Sequence, residues 1–200
     1  MKRIVEVTGR GFYLRGNDID TDRIIPARYL KCVTFEGLGD HVFEDDRIQL
    51  KGEHPFDRKE NKGCSILLVD ENFGSGSSRE HAVPALTQWG IQAIIGLSFA
   101  AIFRGNAVGN GLVCVTVTPE IHEFITRVKL NGWESDFSIN LESMEIEFND
   151  QLTKHVPCKI PDSHREKLTT GTWDDLATAA EAGNLIEATA ETLPYFGHPA

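Results

Sequence analysis

The sequence predicts an α/β fold with a mainly parallel central sheet, followed by a C-terminal hairpin-plus-helix extension. Three observations carry this reading. Short apolar runs at 65–69, 91–96 and 112–118 alternate with stretches of helical spacing, and a β-α-β-α-β-α order calls for parallel strands joined by helical crossovers. Beyond Asn131-Gly132 the period falls to two, over 137–141 and 144–148, as in a hairpin. With 200 residues the chain can bury one core with an appendage, and we divide it at 1–130 and 131–200.

Taken in order, Ile4-Val5-Glu6-Val7-Thr8 reads as a strand, and Gly9-Arg10-Gly11 as a turn into a second one at Phe12-Tyr13-Leu14. Asn17-Asp18-Ile19-Asp20-Thr21-Asp22-Arg23 is an acidic turn that caps a short helix, with Pro26 near its first turn. It approaches an EF-hand loop, but Arg23 stands where the glycine belongs and no glutamate follows at the twelfth position, so calcium is disfavoured. Residues 29–39 show no period and read as a loop, and 45–63 as a polar surface excursion. After the 65–69 strand, Ala82, Ala85, Leu86 and Trp89 fall at i, i+3, i+4 and i+7, the stripe of an amphipathic helix entered through Gly74-Ser75-Gly76. Pro84 inside it predicts a bend. Ser98 reads as the N-cap of a helix bearing Phe99, Ile102 and Phe103, which ends over Gly105-Asn106 and Gly109-Asn110-Gly111. Pro119 opens another, through about Val128. From Pro161 the composition is helical, with Trp173, Leu176 and Ala180 on one spacing.

A net charge of −10 argues against non-specific nucleic-acid binding, which needs a basic surface. An anionic ligand would have to be met by local cations. Cys32, Cys64, Cys114 and Cys158 are widely separated without a C-x-x-C pair, so neither zinc nor an iron-sulfur cluster is readable in their spacing, and buried reduced thiols are expected. Met1-Lys2-Arg3-Ile4-Val5 lacks the apolar core of a signal peptide and no run reaches membrane-spanning length, which places the expected compartment in the cytoplasm.

The chemistry gathers in Asn72-Phe73-Gly74-Ser75-Gly76-Ser77-Ser78-Arg79-Glu80-His81. A glycine-rich approach to a helix leaves amides free for an anion. Ser77-x-x-Glu80 also fits a plain capping box, which needs no ligand. Arg79 counts against capping alone: a cation in a first turn opposes the helix dipole, whereas its planar fork suits a bound carboxylate. The string lacks the third glycine of a dinucleotide loop, the Gly-Lys of a P-loop, and the glycine after the serine of a nucleophile elbow. Carboxylate binding is the better reading.

The order of motifs, Asn17-Asp18-Ile19-Asp20-Thr21-Asp22 with Ile24-Ile25-Pro26, then Gly76-Ser77-Ser78-Arg79-Glu80-His81, then Ser98-Phe99-Ala100-Ala101-Ile102-Phe103 with Asn106, resembles the 3-isopropylmalate dehydratase small-subunit family. That family is similar to the last, swivelling domain of aconitase, and the resemblance runs from about Gly9 to Val117. It implies an aconitase-like swivelling β/β/α fold for 1–130, with 131–200 as an extension packed on it. It implies Ser77 as the catalytic base, Arg79 as a ligand of a substrate carboxylate, Ser78 as a helper in positioning and Asp22 as a carboxylate facing the same region. The segment Tyr29, Leu30, Lys31, Val33 and Thr34 matches the family's substrate-selecting loop. A [4Fe-4S] cluster is implied on a partner large subunit, not on this chain, and the implied substrate is a small dicarboxylate of leucine biosynthesis. Many relatives carry cysteine where Ser75 stands, so that position is not expected to carry chemistry.

Within the loop, Leu30, Val33 and Phe35 would wall an isopropyl group, while Lys31 or Arg28 would meet a longer diacid; each also serves simply to pack the loop. Rival readings are the same half-site acting on citramalate or homoaconitate, since a methyl difference is worth only roughly 1 to 3 kcal/mol, and a carboxylate-binding module without catalysis.

Overall fold

The computed structural model describes residues 2–31, 35–77, 79–130, 136–150, 152–174 and 183. Its centre is a seven-stranded sheet in the order β4-β3-β2-β1-β5-β6-β7. Strands β1 (Glu6–Leu14), β2 (Ile66–Val69), β3 (Ala93–Gly96) and β4 (Val113–Thr116) run parallel. On the other side of β1, strands β5 (Asp136–Asn140), β6 (Glu145–Asp150) and β7 (Leu152–Pro157) run antiparallel. The α/β class is as expected, and β1 is the seam where the two pairing modes meet.

Every side chain of β2 and β3 is buried, which is why both strands are legible as unbroken apolar runs. Alternate residues feed opposite faces. Leu67 and Val69 join Phe12, Leu14, Ile94 and Cys114 under α3 (Ala82–Trp89) and the front of α4 (Ala101–Gly109). Ile66 and Leu68 join Ile95, Val115, Ile139 and Phe148 on the side of α5 (Pro119–Leu130) and α6 (Asp162–Thr170). Among the described residues no helix is long and apolar enough to cross a membrane.

Several local expectations give way to tertiary pairing. Gly9-Arg10-Gly11 is no turn: β1 is continuous, and its glycines make room for neighbours, since a Cβ at Gly11 would fall 2.7 Å from the Phe137 ring. The hairpin gains a third strand, because Thr153-Lys154-His155-Val156-Pro157 completes a meander against β6. The 45–63 excursion is not wholly on the surface. It holds α2 (Glu44–Gln49), and buried His54 and Phe56 anchor it, with the Phe56 ring 5.1 Å from Phe12 and 4.6 Å from Trp89. Helix α3 begins at Ala82, so Pro84 lies in a first turn whose amides lack intrahelical acceptors, and no bond is lost there. Ser98 does not cap α4; Ala100 holds that place, while Ser98 Oγ accepts from the Asn72 amide at 2.8 Å. Gly105-Asn106 lies within α4, which runs on to Gly109. Trp173 follows the end of α6 at Gly171 and donates its indole N–H to Lys2 O at 2.7 Å; Leu176 and Ala180 lie outside the described residues.

Candidate active site

The site is built where two neighbouring parallel strands, β1 and β2, release their chains at the same sheet end. Asp70, directly after β2, accepts from Tyr13 Oη and from the Gly16 amide, both at 2.7 Å, which joins the roots of the two loops. Burial, then the bond to Asp70, pushes the Tyr13 phenol well above its ordinary range, so it stays a donor. From this root the loops zip together. The Asp18 amide donates to Glu71 O at 2.9 Å, Asn72 Nδ2 to Asp18 Oδ1 at 2.7 Å, the Gly74 amide to Ile19 O at 2.7 Å, and the Thr21 amide to Ser75 O at 2.9 Å. Asp20, the N-cap of α1 (Thr21–Ile24), pairs with Ser75 as a parallel bridge. Gly74 needs to be glycine on two counts: its φ is +77°, and a Cβ would fall 2.2 Å from the Phe103 ring.

At the tip of this zipper stands Ser77, exposed, with Arg79 beside it. The capping-box reading of Ser77 fails, because α3 starts later, at Ala82, and His81 is its N-cap without a side-chain bond. Instead Arg79 Nε donates to Ser77 Oγ at 2.9 Å, and Arg79 Nη2 pairs with Asp22. Arg79 therefore lies ahead of the first turn, where the helix dipole does not oppose it as expected. Its side chain is only 15% exposed. With Nε and Nη2 engaged, Nη1 is buried and without a hydrogen-bond partner among the described residues. A buried guanidinium N–H left without an acceptor is costly unless a ligand supplies one. The arrangement thus joins an exposed hydroxyl and a cation bonded to it, whose buried Nη1 has no acceptor among the described residues. Ser78 lies outside the described residues.

The predicted selecting segment is anchored elsewhere. Tyr29, in a 3-10 turn (Ala27–Lys31), donates its hydroxyl to Glu44 Oε2 at 2.6 Å and stacks on His41 at 4.1 Å. Arg28 pairs with Glu44 and with Asp45, the latter at 2.8 Å, so the carboxylates it meets are local ones. Desolvation pushes the Glu44 carboxyl up, but the bonds from Tyr29, Arg28 and His41 outweigh it and hold it at about 2. Leu30 is half-buried. The side chain of Lys31, and Val33 and Thr34 altogether, lie outside the described residues. Phe35 lies against α3: it is 41% exposed, its ring meets His81 edge-on at 5.1 Å, and Gln88 Nε2 donates to its carbonyl at 2.6 Å. The structure thus brings Asp22, Ser77 and Arg79 together, and ties Tyr29 to the start of α2.

Comparison with known proteins decides the family. The model of the aconitase C-terminal domain matches residues 1–120. A 3-isopropylmalate dehydratase small subunit of Synechocystis is 43% identical over 98% of this chain and 96% of its own length. The chain belongs to the 3-isopropylmalate dehydratase small-subunit family. A Thermus thermophilus member of the same name is likewise 43% identical, over 98% of this chain and 97% of its own. A crystal structure of 3-isopropylmalate dehydratase from Methanocaldococcus jannaschii superimposes with a TM-score of 0.65 at 29% identity, covering 90% of this chain and 99% of that one.

Membership of this aconitase-related family suggests an iron-sulfur cluster in the large subunit, and the cysteines among the described residues of this chain stand apart from one another. Cys64, Cys114 and Cys158 are buried in the core, where burial pushes the Cys114 thiol up and holds Cys158 at about 11. Among the described residues no three His, Cys, Asp or Glu side chains converge as metal ligands. Two residues of this small subunit escaped the sequence reading as site elements. Thr21 was legible only as part of the acidic motif, and Glu44 was not singled out at all, because their contacts are with partners 56 and 15 residues away.

Proposed function

We propose that this chain is the small subunit of a 3-isopropylmalate dehydratase, which with a large subunit in the cytoplasm interconverts 2-isopropylmalate and 3-isopropylmalate in leucine biosynthesis. The observation that carries the reading is the Ser77 Oγ to Arg79 Nε contact at 2.9 Å beside Nη1, which has no partner among the described residues. Moving a hydroxyl between adjacent carbons requires a weakly acidic C–H to lose its proton, the hydroxyl to depart, and water to add back the other way round. A serine takes such a proton only as an alkoxide, and a largely buried guanidinium donating to its oxygen favours that form. Ser77 then holds the abstracted proton as its hydroxyl and returns it to the other carbon on rehydration.

Asp22 keeps Arg79 in place, so that Nε faces Ser77 and Nη1 faces a substrate carboxylate. Ser78 helps position that carboxylate, and Tyr29, Leu30, Lys31, Val33 and Thr34 select the remainder of the substrate. The Lewis-acid chemistry at the leaving hydroxyl belongs to a [4Fe-4S] cluster on the large subunit. Residues 1–130 make the catalytic half-site and 131–200 an extension on it, a division supported by the change from parallel to antiparallel pairing at β1.

Whole-length relatives sharing one name argue against both rivals, the related diacid and the non-catalytic module. The test is anaerobic co-purification with the large subunit, followed by assays on a panel of hydroxy diacids. Turnover fastest on 2-isopropylmalate, and only with both chains, is expected. Dicarboxylate binding by this chain alone, with no turnover in the complex, would overturn the reading.

A further inference from the structure

Thr21 is 2% exposed and opens α1, a single helical turn. Its place is secured from two sides: Asp20 Oδ1 accepts from the Arg23 amide at 2.8 Å, and Ile24 and Ile25 just beyond are fully buried. From this fixed point Thr21 makes two bonds to the opposite loop. Its amide donates to Ser75 O at 2.9 Å and its hydroxyl to Ser77 O at 2.7 Å. Gly76, between the two carbonyls, has a φ of +88°, and its exposed backbone would otherwise have wide freedom. One residue further, Asp22 pairs with Arg79, which donates to Ser77 Oγ. Ser77 is therefore held from α1 at its main chain through Thr21 and at its side chain through Asp22 and Arg79.

We infer that Thr21 is a positioning residue for the reaction: its hydroxyl clamps the Ser77 carbonyl and so sets the direction in which Ser77 Oγ leaves the loop. The need arises because Ser77 lies ahead of α3, outside the helical hydrogen-bond ladder, between two glycine-permitted bends and a functional side chain. A base displaced by about 1 Å loses on the order of 100-fold in rate. This inference rests on the assignment of Ser77 as the base.

The experiment compares Thr21→Val, which keeps the volume and removes the hydroxyl, with Thr21→Ser, which keeps the hydroxyl and removes a methyl. Both are assayed in the reconstituted two-subunit enzyme, with Ser77→Ala in parallel and melting curves for each. Thr21→Val is expected to lower kcat by roughly 10- to 100-fold with KM changed by no more than about twofold, and Thr21→Ser to restore most of the rate. Wild-type kcat in Thr21→Val, or an equal loss in both variants, would overturn the inference. If the Val chain does not fold, Thr21→Ala against Thr21→Ser reads the same hydroxyl with the same two outcomes. A Ser77→Ala enzyme that turns over normally would remove the underlying assignment; a dead Ser77→Ala beside an unimpaired Thr21→Val would remove only the role of Thr21.

Discussion

Arg79 and Ser77 are joined side chain to side chain, Nε to Oγ at 2.9 Å, across a single intervening residue. The bond engages one nitrogen of the guanidinium with the serine, Asp22 takes the second, and the third has no partner among the described residues. Replacing the serine removes the hydroxyl so held. With the large subunit present, Ser77→Ala should lower kcat by roughly 100- to 10,000-fold, as expected for a general base, while co-purification of the two chains is unchanged. Normal turnover in steady-state assays would reduce Ser77 to a loop residue.

Arg79→Lys keeps the charge but not the geometry. An ammonium has no rigid fork, so it cannot face Ser77 Oγ, Asp22 and a substrate carboxylate along three fixed directions. We expect kcat/KM to fall by about 100- to 1,000-fold, through both kcat and KM. A variant whose kcat/KM equals that of the parent would show that charge alone suffices.

Gly74→Ala tests the zipper between the two loops. Alanine there must adopt a φ of +77° and push against the buried Phe103 ring. Left-handed strain and overpacking together should cost roughly 2 to 4 kcal/mol, read as a lower denaturation midpoint with the slope unchanged. A midpoint equal to the parent's would mean that the loop relaxes freely.

Glu44 gives a pH dependence of stated sign. Its folded value of about 2 lies below the ordinary 4.5, so on acidification the unfolded chain binds the proton first. The stabilisation is complete above about pH 5 and is lost as the pH falls through roughly 4.5 towards 2. Glu44→Gln should therefore melt lower at neutral pH and show a shallower decline of Tm across that acid window. Parallel Tm curves for parent and variant would contradict the assignment of Tyr29, His41 and Arg28 as its partners.

Legibility in the sequence followed the range of the forces involved. Strands β2, β3 and β4 were readable because two-sided burial leaves an unbroken apolar run, and the inner face of α3 because Ala82, Ala85 and Leu86 recur at helical spacing and are all buried. The serine-arginine string was readable as chemistry because few other roles explain a cation beside clustered serines and glycines. What misled were local rules applied where a distant partner had the stronger claim. Ser98 looks like a cap, but a bond to Asn72, 26 residues away, takes its hydroxyl. Gly9 and Gly11 look like a turn, but β1 is paired on both sides by β2 and β5. Phe56 lies in a polar stretch, and only the assembled core shows the aromatic neighbours that bury it.

By itself the sequence determined the α/β class, the acidic surface and the presence of a serine and an arginine suited to carboxylate chemistry, since composition and short spacings are sufficient for these. Tertiary structure alone decided that Ser77 is held by Arg79 and Thr21 instead of capping α3, and which guanidinium nitrogen is without a partner among the described residues. The reason is that α1 and the Ser77 loop are separated by some fifty residues of chain, with Thr21 and Ser77 56 positions apart. Only the parallel pairing of β1 with β2 brings their ends to one place.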